Sequence, residues 1–316
     1  MRFKASQIDY NGFKVIHLAD SELNTEVEIL SVGAILNNFS VKIDSEILNI
    51  IDGFKLEHFS AKKVSPYFKS AKLCPFVGRL EKNVFEFGKE NYAIEKYQLN
   101  NLPIHGLLFD ADFEVKNIFS DANLASVTLF TEYNTSQHGF CFKFNCAVTY
   151  TLNKKNNLSV STEIINVDNK LIPISDGWHH YFSFGKPIDS LLLEFQSLNS
   201  FELNNQLIPT RNKKKYEEFG SIKKLNDTKF DTCFELNFAE CKPLCVLRDS
   251  ERKIQLEIHQ DKSYPYLQIY TPDHRQSIAL EVMSSIPNSF NNGIGLKILV
   301  PQESAIFTTS YIIRLY

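Results

Sequence analysis

Strict alternation of apolar and polar residues recurs along this chain, and it excludes a helical fold. In Phe142-Lys-Phe-Asn-Cys-Ala-Val-Thr-Tyr-Thr-Leu152 the even positions are apolar or aromatic and most odd ones are polar. Successive side chains of a strand point to opposite faces, so this pattern describes a strand with one buried face. Leu158-Ser-Val-Ser-Thr-Glu-Ile164 repeats it after the turn-forming Asn153-Lys-Lys-Asn-Asn157, which predicts a hairpin. Lys253–His259 and Phe307–Leu315 behave alike, and Val84–Ile94 reads as two strands around Gly88-Lys-Glu-Asn91. The one short helical stripe, Tyr216 to Lys224, is interrupted by Gly220. Short strands with turns between them, no internal repeat and no linker predict an all-β fold. Its expected form is a single large antiparallel β-sandwich occupying residues 1–316 as one domain.

Composition narrows the function classes. Among 316 residues, 13% are aromatic, which supplies ample apolar surface to offset chain entropy. The formal net charge is -3, and only seven of the 34 basic residues are Arg. A phosphate-reading surface needs a basic excess and planar guanidinium forks, so nucleic acid is not the expected partner. The opening residues carry no apolar signal-like core, and no run approaches the ~18 apolar residues of a spanning helix. The six cysteines include no C-x-x-C pair and read as small buried hydrophobes. A reduced, cytoplasmic protein that is a monomer or weak dimer, with no membrane contact, is expected. The Lys213-Lys-Lys215 run reads as a solvated loop.

Several polar residues sit in settings where burial is costly. Arg79 ends the apolar segment Leu73-Cys-Pro-Phe-Val-Gly-Arg79, as a donor fork for hydroxyl or carboxylate oxygens or as half of a structural ion pair. His105 lies in Leu102-Pro-Ile-His-Gly106, where a core histidine is the simpler account. Ile174-Ser-Asp-Gly-Trp-His-His-Tyr-Phe182 holds the only Trp of the chain. Aromatic faces stack on sugar C–H bonds and imidazoles address oxygens, so Trp178 and one neighbouring histidine are candidate sugar contacts, with a buried aromatic cluster as the competing reading. Strand parity places His179 with Tyr181 on one face, and Trp178, His180 and Phe182 on the other. Glu281 is a lone carboxylate within Ile-Ala-Leu-Glu-Val-Met283, where desolvation would raise its pKa into the range of a general base. Asp231, between Phe230 and Phe234, is either a site acid or a turn residue.

The order of these segments resembles the aldose 1-epimerase (mutarotase) family. The resemblance rests on Pro75-Phe-Val-Gly-Arg79, Pro103-Ile-His-Gly106, Trp178-His-His-Tyr-Phe182, Asp231-Thr-Cys-Phe234, and Glu281 followed by Pro287-Asn-Ser-Phe-Asn291. It runs from about Gly33 to the C-terminal strand. It implies one large β-sandwich and a cofactor-free, metal-free acid–base site acting on a small-molecule aldohexose. By this resemblance Glu281 is the base that takes the proton of the anomeric hydroxyl. His179 is the acid that protonates the ring oxygen, with His180 in its place if the register slips. His105 contacts the reacting end, and Arg79 and Asp231 hold hydroxyls. On this assignment the acidic limb of the pH profile belongs to Glu281 and the alkaline limb to His179. The preferred sugar is not assigned. Two other functions stand beside this one. A hexose-6-phosphate epimerase would recruit Arg248, Arg275, His274 or His138 to the phosphate. A sugar-binding module would keep the cleft without turnover.

Overall fold

The computed structural model describes residues 1–60, 64, 67–134, 138–239 and 243–316. Its strands form two large antiparallel sheets with a smaller N-terminal one. The nine-stranded sheet runs Glu114–Ser120, Leu124–Tyr133, Phe144–Asn153, Asn157–Asn166, Ser304–Leu315, Ile254–Gln260, Cys245–Asp249, Leu192–Phe195, Lys223–Lys224. The predicted hairpin supplies its third and fourth strands, with Phe144 opposite Asn166 and Asn153 opposite Asn157. Lys155 and Asn156 take positive φ at its turn. Along its first strand Phe144, Cys146, Val148, Tyr150 and Leu152 are buried in strict alternation.

The second sheet has eight strands. Across it lie Pro209–Lys215, Ser197–Leu203, Asp231–Leu236, Tyr266–Tyr270, Ile278–Met283, Gly177–His179 and Ala71–Leu73, and Tyr181–Phe182 also pairs with Ile278–Met283. One face of this sheet meets the nine-stranded sheet: Trp178 packs 5.9 Å from Tyr150, and His180 and Phe182 lie 5.2 and 5.7 Å from Tyr311. The apolar cluster between the sheets runs from Phe3 to Ile313 and includes residues of the N-terminal sheet, Phe3–Asn49. The opposite face of the eight-stranded sheet is also covered, which is why all six residues of Ile278–Met283 are buried.

An ion pair lies inside this core. Lys72 Nζ donates to Asp176 Oδ2 at 2.6 Å and to Thr162 Oγ1 at 2.9 Å, and it sits 4.2 Å above the Trp178 ring. Tyr264 donates its hydroxyl to the same Asp176 oxygen at 2.6 Å. Both charges are fully excluded from water, so only this set of partners offsets their desolvation.

Local expectations fail at three places. Tyr216 to Lys224 is not a helix: Phe219 plugs the core and the backbone turns at Glu217–Gly220. Among the described residues the one α-helix is the short Ser289–Asn292. Lys213–Lys215 is no loop but the end of an edge strand, where Lys side chains keep a free sheet edge solvated. Cys141 is exposed, unlike the buried Cys74, Cys146, Cys233 and Cys245, and Cys241 lies outside the described residues. Among the described residues no helix is long and apolar enough to cross a membrane.

Candidate active site

The outer face of the eight-stranded sheet carries a cavity of about 370 Å³. Parity decides which residues reach it. His179 and Tyr181 point into it, as do Glu281 and Met283 of the next strand, Gln268 and Tyr270 of the third, and Asp231 of the fourth. Their neighbours Trp178, His180, Leu280, Val282, Leu267, Ile269 and Phe234 face the core. Trp178, expected as a sugar contact, does not line the cavity. It is fully buried on the core face, between Tyr150 and Lys72, because it differs by one residue from His179. His180 goes the same way, stacked on Trp178 at 5.4 Å, so the cleft histidine of the pair is His179.

Two loops bring the remaining groups. The chain at Cys74–Arg79 and the chain at Ile104–Leu107 are joined backbone to backbone. His105 N–H donates to Gly78 C=O at 2.9 Å, Leu107 N–H to Cys74 C=O at 2.6 Å, and Leu80 N–H to Pro103 C=O at 3.0 Å. Gly106 permits this approach: its φ is +77°, and a Cβ there would lie 2.4 Å from the Cys74 carbonyl oxygen. His105 itself adopts φ +64°, an uncommon backbone for a non-glycine residue, and Arg79 pairs with Ile104 in an isolated bridge. Arg79 and His105 therefore reach the cavity as one unit.

His179 Nε2 lies 3.3 Å from Glu281 Oε1. The His105 ring meets the His179 ring edge-on, 4.8 Å between centres, and Tyr181 stacks on the other side of His179 at 4.9 Å. Phe68 closes over His105 at 4.6 Å. Glu281, His179 and His105 are only 3%, 5% and 8% exposed, so the three groups work nearly out of water. Gln268 donates from Nε2 to Asp231 Oδ1 at 2.8 Å, aiming that carboxylate along the cavity floor.

Burial sets the proton affinities. It pushes the Glu281 carboxyl well above the usual carboxylate range, with the Asp231 charge adding to it and Arg79 opposing. It lowers the His179 imidazole to about 4, and it holds His105 well below its ordinary value, helped by the His179 and Arg79 charges. Asp231 is also raised by burial, against the Arg79 charge and the Gln268 hydrogen bond. Both members of the Glu281–His179 pair are thus drawn toward neutrality by desolvation, while their 3.3 Å contact favours the charged arrangement. The two arrangements hold the same single proton. A pair of this kind can accept a proton from one ligand oxygen and deliver one to another.

The donor atoms of His105, His179 and Glu281 lie within 4.8 Å of one another, the one set of described residues with the composition of a metal centre. The candidate phosphate ligands are elsewhere. Arg275 is held by Asp189 Oδ1 and the carbonyls of Thr228 and Asn226, Arg248 donates to Gln255, and neither His274 nor His138 lines the cavity. Among the described lining residues, Arg79 is the one Lys or Arg. Gln268, Tyr270, Tyr67 and Tyr97 were not anticipated from sequence. Gln268 and Tyr270 had a usable signal, because Tyr266-Leu-Gln-Ile-Tyr270 alternates and its apolar Leu267 and Ile269 must face the core.

The aldose 1-epimerase family model matches residues 14–312. A curated relative, the uncharacterized protein YihR of Escherichia coli K12, is 26% identical over 234 residues, 72% of this chain and 73% of its own. Among solved structures, a galactose mutarotase-like protein from Clostridium acetobutylicum superposes with a TM-score of 0.85 at 20% identity, covering 99% of this chain and 98% of its own. The galactose 1-epimerase of Lactobacillus acidophilus NCFM gives 0.83 at 19% identity, with 99% of each chain covered. At these identities the superpositions establish a shared fold.

Proposed function

Since the chain belongs to the aldose 1-epimerase family, we propose that it interconverts the α and β anomers of a free aldohexose by ring opening and reclosure. The observation that carries this reading is the water-excluded Glu281–His179 pair, 3.3 Å apart, with His105 set edge-on beside it. Glu281 as carboxylate accepts the proton of the C1 hydroxyl while the His179 imidazolium gives its proton to the ring oxygen. The C1–O5 bond breaks and C1 becomes the aldehyde carbon. After rotation about C1–C2 the O5 hydroxyl attacks the other carbonyl face, returning its proton to His179 while Glu281 protonates the new O1. His105 holds the reacting end, and Arg79 and Asp231 take ring hydroxyls. Ring opening and reclosure need only proton transfers from the protein and no change of oxidation state, so the reaction asks for no cofactor or metal.

A neutral hexose suits the cavity better than its 6-phosphate, because Arg79 already faces the Asp231 and Glu281 charges and Arg275 and Arg248 are engaged elsewhere. A purely sugar-binding module would have no use for a buried carboxylate and imidazole in contact. We place the protein in the cytoplasm, as one domain, acting as a monomer or weak dimer on a small sugar.

The test is polarimetry of freshly dissolved α-glucose and α-galactose. Wild type should accelerate the approach to equilibrium, equally well after prolonged chelation, and Glu281→Gln should slow turnover by about 10²–10⁴-fold. Sugar binding without acceleration by wild type would leave the binding-module reading.

A further inference from the structure

His179 and Glu281 approach each other without closing. Nε2 and Oε1 are 3.3 Å apart, yet among the described residues no hydrogen bond joins the two side chains. A charge-assisted N–H···O bond would draw such a pair to about 2.7–2.9 Å. A shared metal ion would hold it where it stands. In a tetrahedral zinc site with bonds of about 2.1 Å, two neighbouring ligand atoms are about 3.4 Å apart. His105 supplies a third donor, since one atom from each of His105, His179 and Glu281 falls within 4.8 Å of the other two.

The donor set selects the ion. Mg²⁺ and Ca²⁺ take six or more ligands, mostly oxygen, which two imidazoles and one carboxylate do not provide. Zn²⁺ accepts nitrogen and oxygen in tetrahedral coordination, and three protein ligands leave its fourth position open. With Glu281 ionised, the nearby Asp231 and Arg79 charges leave one net negative charge facing the ion.

The two rings are not braced as in a permanent metal centre. Nδ1 of His105 and Nδ1 of His179 are buried without a hydrogen-bond partner. The histidines of a resident site donate that N–H to a carboxylate, a carbonyl or a water. Ring packing holds these two instead, with Phe68 over His105 and Tyr181 on His179. Such a site binds an ion exchangeably.

We propose that one Zn²⁺ ion binds reversibly between His105, His179 and Glu281 and excludes the sugar. The inhibition, though not the binding, rests on the epimerase reading. The ion takes the lone pairs that the proposed mechanism uses for the proton, so zinc occupancy and turnover are mutually exclusive.

The experiment titrates metal-stripped wild type with Co²⁺ by visible spectroscopy and with Zn²⁺ by calorimetry, in parallel with Glu281→Gln and His105→Asn. Co²⁺ should develop the intense d–d bands of four-coordination at one ion per chain, and Zn²⁺ should displace it. Each substitution should weaken Zn²⁺ binding about 100-fold or more, since losing a mere supporting hydrogen bond already costs about 10–100-fold. The pale spectrum of six-coordinate Co²⁺ overturns the site on wild type alone, and so does zinc affinity that survives either substitution. In polarimetry, Zn²⁺ at its dissociation constant should raise KM for the sugar about twofold with kcat unchanged, and a chelator should reverse this. Mutarotation indifferent to saturating Zn²⁺ overturns the proposal. Zinc binding that both substitutions abolish, in a wild type that does not accelerate mutarotation, keeps the metal site and discards the epimerase.

Discussion

His179 and Glu281 stand on adjacent antiparallel strands with Nε2 and Oε1 3.3 Å apart, and burial moves their proton affinities in opposite directions. The imidazole falls to about 4 and the carboxyl rises well above its usual range. In the proposed mechanism the productive state holds one proton on the pair. Lowering the pH adds a second proton, which goes to His179 and removes the acceptor role of Glu281. Raising it removes the last proton, which leaves Glu281 and takes the donor away. The limb assignment drawn from sequence is therefore reversed by these shifts. The pH profile should be bell-shaped, with an acidic limb near 4 and an alkaline limb at the raised Glu281 value, both properties of the pair. A polarimetric rate that is flat over pH 3 to 9 would remove the pair from the proton transfers.

The buried Lys72–Asp176 pair supports the strand that carries His179. Lys72→Met leaves Asp176 charged or forced neutral in the core, and it should lower stability by about 3–5 kcal/mol. Lys72→Met/Asp176→Leu, which removes both charges, should recover much of that loss. Urea unfolding of the three proteins measures it. Equal stability of wild type and Lys72→Met would show that the pair contributes little.

Gly106→Ala places a Cβ 2.4 Å from the Cys74 carbonyl oxygen at φ +77°. The joint between the Arg79 and His105 segments must open to admit it. We expect about 2 kcal/mol of lost stability and a loss of kcat/KM of at least about tenfold as His105 moves. Thermal melts together with polarimetry would show both, and unchanged kinetics would mean that His105 does not need this joint.

Trp178→Phe tests the core placement of the indole against a role at the cavity. The indole packs between Tyr150, Lys72 and His180 on the core face, so its truncation should cost about 1–3 kcal/mol of stability and leave the sugar KM unchanged. A KM raised tenfold in a protein that stays folded would return Trp178 to the sugar.

What the sequence determined is what local rules reach. Alternation in Phe142–Leu152 and Leu158–Ile164 settles strand, hairpin and buried face, because one face of that sheet meets water and the other the core. An isolated carboxylate in an apolar run marks Glu281, and period-2 parity separates His179 from Trp178 once a strand is assumed. The tertiary structure decided the rest. Ile278–Met283 hides its two faces because both are covered, and only the sheet order shows that Glu281, Gln268 and Asp231 follow one another across a floor. Phe219 turns an apparent helical stripe into a core plug. The reach of the cavity lining from His179 to Leu203 comes from strands far apart in the chain. Such distances are set by which strands pair, and pairing depends on contacts between residues that no local window contains.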